Sequence, residues 1–220
     1  MYRIICLIVG YCFGLLQFSI IYGKLSGFDI RKQGSGNAGT TNMIRTKGVK
    51  AGLIVFAGDV LKAVVAVAVM RAIFKGIVPD SDLYLVKVWT GLGVVLGHDF
   101  PFYMNFKGGK GIASTSGFMI AWHWTFIPVG LFAFFTPYLI TKYVSLGSMC
   151  LYASLLIQTI LMGQLGLLGD TTQSGLIEIY LIIAGMAALA VWQHRQNIVR
   201  LINGTERKTY LSNKKNHVEA

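Results

Sequence analysis

Apolar residues along this chain fall into long runs separated by short polar segments. Four runs are long and unbroken: they cover about Ile4 to Tyr22, Ala51 to Ile73, Ser145 to Leu165 and Leu176 to Trp192. A bilayer core is about 30 Å thick, so a spanning helix needs roughly 20 apolar residues. The lengths of these runs predict membrane-spanning helices. The first run is longer than a signal peptide core, so we expect it to stay in place.

Two further apolar regions are less regular. One runs from about Leu83 to Phe100, and the other, from Ile112 to Ile140, is too long for one helix and short for two. His123 and Pro128 lie near the middle of the second region, so we interpret it as a short helix to about Trp122 and another that follows. Tilt and local bilayer thinning accommodate such short spans. The pattern predicts an all-α membrane helix bundle of about seven transmembrane helices.

Basic residues in the polar segments predict an orientation for this bundle. With seven spans, one side holds 15 of the 20 basic residues. They are Lys24, Arg31, Lys32, Arg45, Lys47, Lys50, Lys107, Lys110, Lys142, Arg195, Arg200, Arg207, Lys208, Lys214 and Lys215. The positive-inside rule then places the N-terminus outside and the C-terminus in the cytoplasm. Treating Ile112–Ile140 as one span gives six helices and moves the tail across the membrane, whereas a five-span version keeps it inside.

Composition supports a membrane protein with one domain over residues 1–220. Hydrophobic residues make up 54% of the chain and charged residues only 13%, whereas about a quarter of a soluble domain is charged. The net charge of +11 would by itself suit nucleic acid. However, the cations lie in short loops between apolar runs, where they meet anionic lipid head groups or phosphorylated substrates. We therefore expect no nucleic-acid partner, and the histidines and cysteines predict no metal site and no cofactor.

The first polar segment combines glycines, small donors and an arginine. It reads GSGNAGTTN from Gly34 to Asn42, and Arg45 follows. The literal G-x-G-x-x-G within it is no dinucleotide site, because such a site needs a preceding β-strand and here an apolar helix precedes. Glycine backbone N–H groups, a following helix N-terminus and a guanidinium all suit phosphate. The alternative is a flexible basic loop.

The second polar segment has two lysines around two glycines, just before an apolar run. It reads Lys107-Gly108-Gly109-Lys110-Gly111. It is not a Walker A loop, since Gly111 stands where that motif has Ser or Thr. The arrangement again suits an anion, and the alternative is a tight turn between helices. Two such segments on one side strengthen the phosphate interpretation.

The third polar segment follows the last apolar run. His194 and Asn197 recur at helical spacing, so they share a helix face at the membrane surface. For Arg200 we prefer a basic side chain that snorkels at the helix end, and we expect Glu206 to be structural, pairing with a cation.

Two charged residues, Asp59 and Lys62, lie three residues apart inside the second apolar run. Such intramembrane charges are either functional or a structural ion pair.

Together the three segments resemble the bacterial acyl-phosphate-dependent glycerol-3-phosphate acyltransferase family, the PlsY type. The matching blocks are SGNAGTTNMIRTKG at 35–48, GHDFPFYMNFKGGKG at 97–111 and HRQNIVRLINGTE at 194–206. Their order and their side of the membrane also match. One departure is Ala38, where the family often has proline.

This resemblance implies a reaction at the first step of phospholipid biosynthesis. An acyl group would pass from acyl phosphate to the 1-position hydroxyl of sn-glycerol 3-phosphate, giving lysophosphatidic acid and inorganic phosphate. The enzyme would lie in the bacterial cytoplasmic (inner) membrane, among membrane lipid, with its active site facing the cytoplasm. The H-x-x-x-x-D pair of thioester-dependent acyltransferases is absent, because Tyr103 and Val199 stand at that offset from His98 and His194. Acyl phosphate has a good leaving group, so the nucleophile needs less activation. No hydroxyl or thiol nucleophile with a His and a carboxylate is evident, so we expect direct transfer without an acyl-enzyme.

The resemblance and the residue chemistry together predict the site. We expect catalytic roles for Ser35, Lys107, His194 and Asn197. The expected substrate-binding residues are Ser35, Gly36, Asn37, Gly39, Thr41, Asn42, Arg45, Lys107, Gly108, Gly109, Lys110, Gly111 and Ser145. The proton acceptor is either His194, whose ordinary pKa suits a general base, or the phosphate of the substrate. The alternative function is a small transporter of a phosphorylated or anionic metabolite.

Overall fold

The computed structural model describes residues 1–211, so the predicted basic residues Lys214 and Lys215 lie outside the described part. Its α-helices are α1 Tyr2–Gly14, α2 Phe18–Leu25, α3 Thr40–Lys47, α4 Val49–Phe74, α5 Leu83–Asp99, α6 Ile112–Trp122, α7 Phe126–Thr141, α8 Val144–Gln164, α9 Gln173–Gln193 and α10 Arg195–Ile202. Three short 3-10 turns and one isolated bridge complete the described secondary structure. The all-helical architecture predicted from the sequence is confirmed.

Within residues 1–211, four helical segments are long and apolar enough to cross a membrane: Tyr2–Leu25, which joins α1 and α2, and the helices α4, α8 and α9. Helices α6 and α7 are apolar but shorter, and they divide the region Ile112–Ile140 near Trp122 as predicted. The 11 residues of α6 rise only about 16 Å. That is roughly half of a bilayer core, so α6 depends on its neighbours to cover its ends.

The first apolar run is not one helix, as the sequence predicts, but two. The break between α1 and α2 exposes main-chain carbonyls, and Lys62 of α4 donates to those of Leu16 at 2.7 Å and Gly14 at 3.2 Å. Its ammonium also bonds the Asp59 carboxylate at 2.7 Å, and both side chains are 1% exposed. The predicted ion pair is confirmed, and its surroundings give it a structural role: it stabilises the break where water is absent.

Helices α1 and α5 pack with their backbones in direct contact. A Cβ atom on Gly10 or Gly14 would lie 2.3 Å from a carbonyl oxygen of α5, and one on Gly93 or Gly97 would lie within 2.3 Å of a carbonyl of α1. Small residues allow such close approach between membrane helices. Gly10 faces Gly93 and Gly14 faces Gly97, so the two helices run parallel.

The core lies around the short helix α6. Phe118, Trp122 and Phe126 stack in series, with ring centroids 5.1 Å and 4.6 Å apart, and all three side chains are fully buried. Leu155 of α8 and Ile183 of α9 belong to the same buried cluster. Aromatic stacking adds to burial energy, so the short helix α6 is stabilised by the helices that enclose it.

The polar connections gather at two ends of the bundle. One, which we call the basic end, contains residues 26–39, 100–111, 142–143 and 194–211; the other contains residues 75–82, 123–125 and 165–172. At the basic end, the Thr209 N–H donates to the Lys142 carbonyl at 3.0 Å. At the opposite end, Arg3 forms a bidentate pair with Glu178 at 2.5 and 2.8 Å. The structure therefore groups the polar segments as the charge pattern predicts.

We predict that replacing Lys62 alone strongly destabilises the bundle. Lys62→Met leaves the buried Asp59 carboxylate and two helix-end carbonyls without their donor, at a cost of about 3 to 5 kcal/mol. The midpoint of thermal unfolding in detergent should fall sharply, and adding Asp59→Asn should recover part of the loss. Lys50→Met, the same change at an exposed position of α4, is the control. Equal midpoints for the Lys50 and Lys62 variants would contradict the prediction.

Candidate active site

The loop before α3 is shaped by the side chain of Asn42. Its amide nitrogen donates to the carbonyls of Ile30 at 3.3 Å, Gln33 at 3.0 Å and Asn37 at 3.1 Å, and its oxygen accepts from the Ser35 N–H at 2.9 Å. Asn42 is 1% exposed. The sequence predicts Asn42 as a substrate-binding residue, but these four bonds engage its amide in the loop, which makes it a positioning residue.

The backbone N–H groups of this loop are mostly used within it. Besides the Ser35 N–H, the Gly36 N–H donates to the Gln33 carbonyl at 3.0 Å and the Gly39 N–H to the Asn37 carbonyl at 3.0 Å. The Asn37 N–H donates to Ser35 Oγ at 3.4 Å, so the main-chain donors of Gly36, Asn37 and Gly39 have partners within the loop, and their predicted substrate-binding role stays a prediction. The Ser35 side chain stays exposed.

The N-terminus of α3 supplies the donors that the loop does not. Gly39 is its N-cap and carries no capping side chain, so the first-turn N–H groups, including that of Thr41, keep no side-chain partner. The first N–H groups of a helix have no intrahelical acceptor and favour an anion. Thr41 is half-buried at this end. The main-chain donors of the first segment that keep no side-chain partner in the described residues are thus those of the helix start.

The two central glycines of the second segment dock against the end of α5. The Gly108 N–H donates to the Asp99 carbonyl at 3.0 Å and the Gly109 N–H to the His98 carbonyl at 3.1 Å. A Cβ on Gly108 would lie 2.0 Å from the His98 carbonyl oxygen, and one on Gly109 2.1 Å from its Nε2. Their predicted role as phosphate donors is corrected: these N–H groups satisfy helix-end carbonyls. Gly111, with φ of 72°, then begins α6.

The two lysines of this segment have different surroundings. Lys110 is half-buried and donates to Asn197 Oδ1 of α10. Burial, and then the nearby charge of Arg200, lower the pKa of Lys110 to about 8. Lys107 is exposed, and its ammonium makes no hydrogen bond or ion pair within residues 1–211. Only Lys110 is therefore hydrogen-bonded to the third polar segment, through Asn197. Lys107 extends from its loop into solvent.

His194 lies between α9 and α10 and is 3% exposed. Its Nδ1 lies 2.8 Å from the Ala190 carbonyl. A carbonyl only accepts, so Nδ1 carries the proton and Nε2 is left with its lone pair. Within the described residues Nε2 has no hydrogen-bond partner. Burial, and then the charge of Lys110, lower the pKa of His194 to about 4, so the ring is neutral at physiological pH.

Glu206 connects the third segment to the corner between α7 and α8. Its carboxylate accepts from Asn197 Nδ2 at 2.7 Å, Ser145 Oγ at 3.0 Å and Arg200 Nε at 2.8 Å. The prediction that Glu206 pairs with a cation is confirmed. Ser145 therefore donates to Glu206, and its predicted contact with phosphate stays a prediction. Arg200 pairs with Glu206, while its side chain stays 39% exposed.

Arg45 projects from α3 to the segment that follows α10. Its Nε donates to Thr209 Oγ1 at 2.8 Å and its Nη2 to the Arg207 carbonyl at 2.8 Å. The sequence pattern missed Thr209, which lies beyond the third matching block and has no motif around it. Only contact in the folded protein identifies it.

Positive charge exceeds negative charge at this cluster. The charges of Arg200 and Arg45 both repel the Lys110 ammonium, and the Glu206 carboxylate attracts it. An anion between these cations would relieve the repulsion. Ser35 and Lys107 are not joined to the cluster by any hydrogen bond within residues 1–211.

Within residues 1–211, no group of three or more His, Cys, Asp or Glu side chains could hold a metal ion.

Comparisons with known proteins match nearly the whole chain. The sequence profile of the glycerol-3-phosphate acyltransferase family covers residues 4–204. A glycerol-3-phosphate acyltransferase 2 of Thermotoga maritima is 41% identical over 93% of this chain and 95% of its own. A glycerol-3-phosphate acyltransferase of Clostridioides difficile is 39% identical over 93% of this chain and 94% of its own.

Solved structures give the same result. The crystal structure of PlsY, an integral membrane glycerol 3-phosphate acyltransferase, in its glycerol 3-phosphate form superposes with a TM-score of 0.79 at 30% identity over 96% of both chains. Its lysophosphatidic acid form has a TM-score of 0.78 at 29% identity, over 96% of this chain and 97% of that one.

We predict that the second segment tolerates no side chain at its first glycine. Gly108→Ala places a methyl group against the His98 carbonyl, and such overpacking costs about 1 to 3 kcal/mol. The thermal midpoint should fall and proteolysis at this loop should accelerate. Gly185→Ala in α9, where a Cβ meets nothing within 4 Å, should leave both unchanged. An unaltered Gly108→Ala protein would show that the glycine is not needed for docking.

Proposed function

This chain belongs to the glycerol-3-phosphate acyltransferase family, and we propose that it transfers an acyl group from acyl phosphate to the 1-position hydroxyl of sn-glycerol 3-phosphate. The hydroxyl oxygen attacks the acyl carbonyl carbon, and the bond from that carbon to the phosphate oxygen breaks. Lysophosphatidic acid and inorganic phosphate result. The observation that carries the proposal is the cluster of Arg45, Lys110 and Arg200 around one carboxylate, Glu206, at the basic end of an apolar bundle.

The proposed phosphate site combines hydrogen-bonded cations with exposed side chains. Arg45 and Lys110 are held by hydrogen bonds, and the N-terminus of α3 adds main-chain donors and a favourable dipole. Ser35 and Lys107 are exposed on adjoining loops and close on the phosphates when substrate binds. Donors aimed at the leaving phosphate stabilise the charge that develops on it. Because acyl phosphate is a mixed anhydride with a good leaving group, the nucleophile needs little activation.

His194 is proposed to orient the attacking hydroxyl. Its Nε2 lone pair is available, because Nδ1 donates to the Ala190 carbonyl, and it accepts a hydrogen bond from the substrate hydroxyl. A pKa of about 4 makes the ring a weak base, so the proton passes on to the phosphate of the substrate. Asn197 bridges Lys110 and Glu206, which fixes its amide beside the reacting groups.

We propose direct transfer with no acyl-enzyme. A covalent route needs a hydroxyl or thiol nucleophile activated by an adjacent base. Within residues 1–211, the only hydrogen bond that the His194 ring makes is to the Ala190 carbonyl. His98 bonds Lys62 at 2.9 Å and lies among structural charges rather than beside a nucleophile.

The proposed topology has seven spans in a single domain over residues 1–220. The basic end faces the cytoplasm of a bacterial inner membrane and the N-terminus lies outside. Support comes from the acidic residues Asp80, Asp82, Asp170 and Glu178, which lie at or near the other end, and from the positive-inside rule. Donor and acceptor then meet at the surface where soluble phosphates are available, while the acyl chain lies among lipid.

Phosphate release by the purified protein tests this proposal. Palmitoyl phosphate and glycerol 3-phosphate are supplied together and separately in detergent. We expect release only with both substrates, with lysophosphatidic acid formed in equal amount. Release from palmitoyl phosphate alone would indicate an acyl-enzyme or simple hydrolysis. No release from a folded protein would overturn the proposal in favour of transport, because a transporter needs a sealed membrane and consumes no acyl phosphate.

Removal of either proposed phosphate ligand should abolish most activity. We predict that Arg45→Ala and Lys107→Ala each lower turnover about 100-fold or more, as loss of a group that stabilises transition-state charge does. Both proteins should still insert and purify as single species. Lys24→Ala, an exposed cation at the same end, is the control and should keep normal activity. Near-normal turnover of the Arg45 or Lys107 variant would mean that the phosphate pocket lies elsewhere.

A further inference from the structure

Thr209 is held at all of its polar groups. Its N–H donates to the Lys142 carbonyl at 3.0 Å, its own carbonyl accepts from Tyr138 Oη at 3.1 Å, and its Oγ1 accepts from Arg45 Nε at 2.8 Å. The residue is 1% exposed. Its hydroxyl is therefore a fixed point, tied to the corner between α7 and α8 and turned towards α3.

Thr209 and the Arg207 carbonyl together fix the plane of the Arg45 guanidinium. That group is planar and presents five N–H donors in a rigid fork. One donor on Nε is taken by Thr209 and one on Nη2 by the Arg207 carbonyl at 2.8 Å. Two bonds to adjacent nitrogens fix the fork, and three N–H donors are left without a partner in the described part of the chain.

We propose that Thr209 is a positioning residue for substrate binding, which holds the Arg45 fork so that its remaining donors meet a substrate phosphate. This inference rests on the proposed function, in which Arg45 binds phosphate. Thr209 itself touches no substrate. The segment after α10 thus contributes to the site in two ways: Glu206 holds Asn197, and Thr209 holds Arg45.

The same segment explains why Arg45 does not pair with a carboxylate. Glu206 already accepts three hydrogen bonds, from Ser145, Asn197 and Arg200. Arg45 is held instead by a hydroxyl and a carbonyl, which are neutral acceptors. Neutral acceptors orient the guanidinium without cancelling its charge, so the charge remains available for a phosphate.

The experiment compares Thr209→Val with Thr209→Ser. Valine keeps the branched shape and removes the acceptor, whereas serine keeps the acceptor. We expect Thr209→Val to raise KM about tenfold for the substrate whose phosphate Arg45 binds, as loss of a hydrogen bond to a charged group does. The other KM and kcat should stay within about twofold, and Thr209→Ser should be close to the unchanged protein.

Matched variants separate positioning from general damage. Thr171→Val makes the same change at the opposite end of the bundle, where the hydroxyl donates to the Leu168 carbonyl at 2.6 Å, and should leave both KM values unchanged. Tyr138→Phe removes one bond that holds Thr209 and should raise the same KM about threefold. If Thr209→Val does not fold, Tyr138→Phe carries the test.

The outcomes distinguish this inference from the proposed function. Unchanged KM values in Thr209→Val and Tyr138→Phe, together with an impaired Arg45→Ala protein, would overturn the positioning role and leave the function standing. A fall in kcat with both KM values raised, not rescued by serine, would also overturn it in favour of a packing role. Normal kinetics of Arg45→Ala would remove the phosphate role of Arg45 and this inference with it.

Discussion

Helix ends that lie near lipid need partners for their backbone carbonyls, and this requirement organises the protein. Water is absent from the bilayer core, so each carbonyl without an intrahelical donor needs one from the protein. Lys62 supplies it at the break after α1. Gly108 and Gly109 supply it at the end of α5. Lys87 supplies it at the end of α6, by donating to the Trp122 carbonyl at 2.8 Å.

Because of the same requirement, the glycine-rich segments use most of their main-chain donors to hold the fold together. Main-chain N–H groups of these loops are largely occupied by turns and helix ends, so the proposed phosphate binding relies on helix starts and on side chains. Glycine serves close packing at Gly108, where the loop meets the His98 carbonyl. Arg45 and Lys110 are in turn held by Thr209 and Asn197. A rigid scaffold therefore presents charged groups at one surface, as binding of phosphate with correct orientation requires.

The proposed reaction depends on position more than on activated groups. With acyl phosphate, a mixed anhydride, as the proposed donor, a site with a neutral His194 needs no strong base and no covalent intermediate. In this proposal, positive charge is concentrated instead where the leaving phosphate forms. Glu206 accepts hydrogen bonds from Asn197, Ser145 and Arg200. The residues proposed to act near the substrate hydroxyl and the cations proposed near the phosphate therefore belong to one hydrogen-bond network. We expect a change in one group to affect the other.

The sequence alone determined the helical class, the positions of the apolar runs, the grouping of polar segments and the family. These features follow from composition, length and local motifs, which need no knowledge of packing. Only the tertiary structure decided which donors are free. Asn42 and Ser145 look like ligands in a motif, yet their partners at Ile30 and Glu206 are brought near by folding. Thr209 has no local signal at all, because its role arises from a contact with Arg45 across 164 positions of the chain.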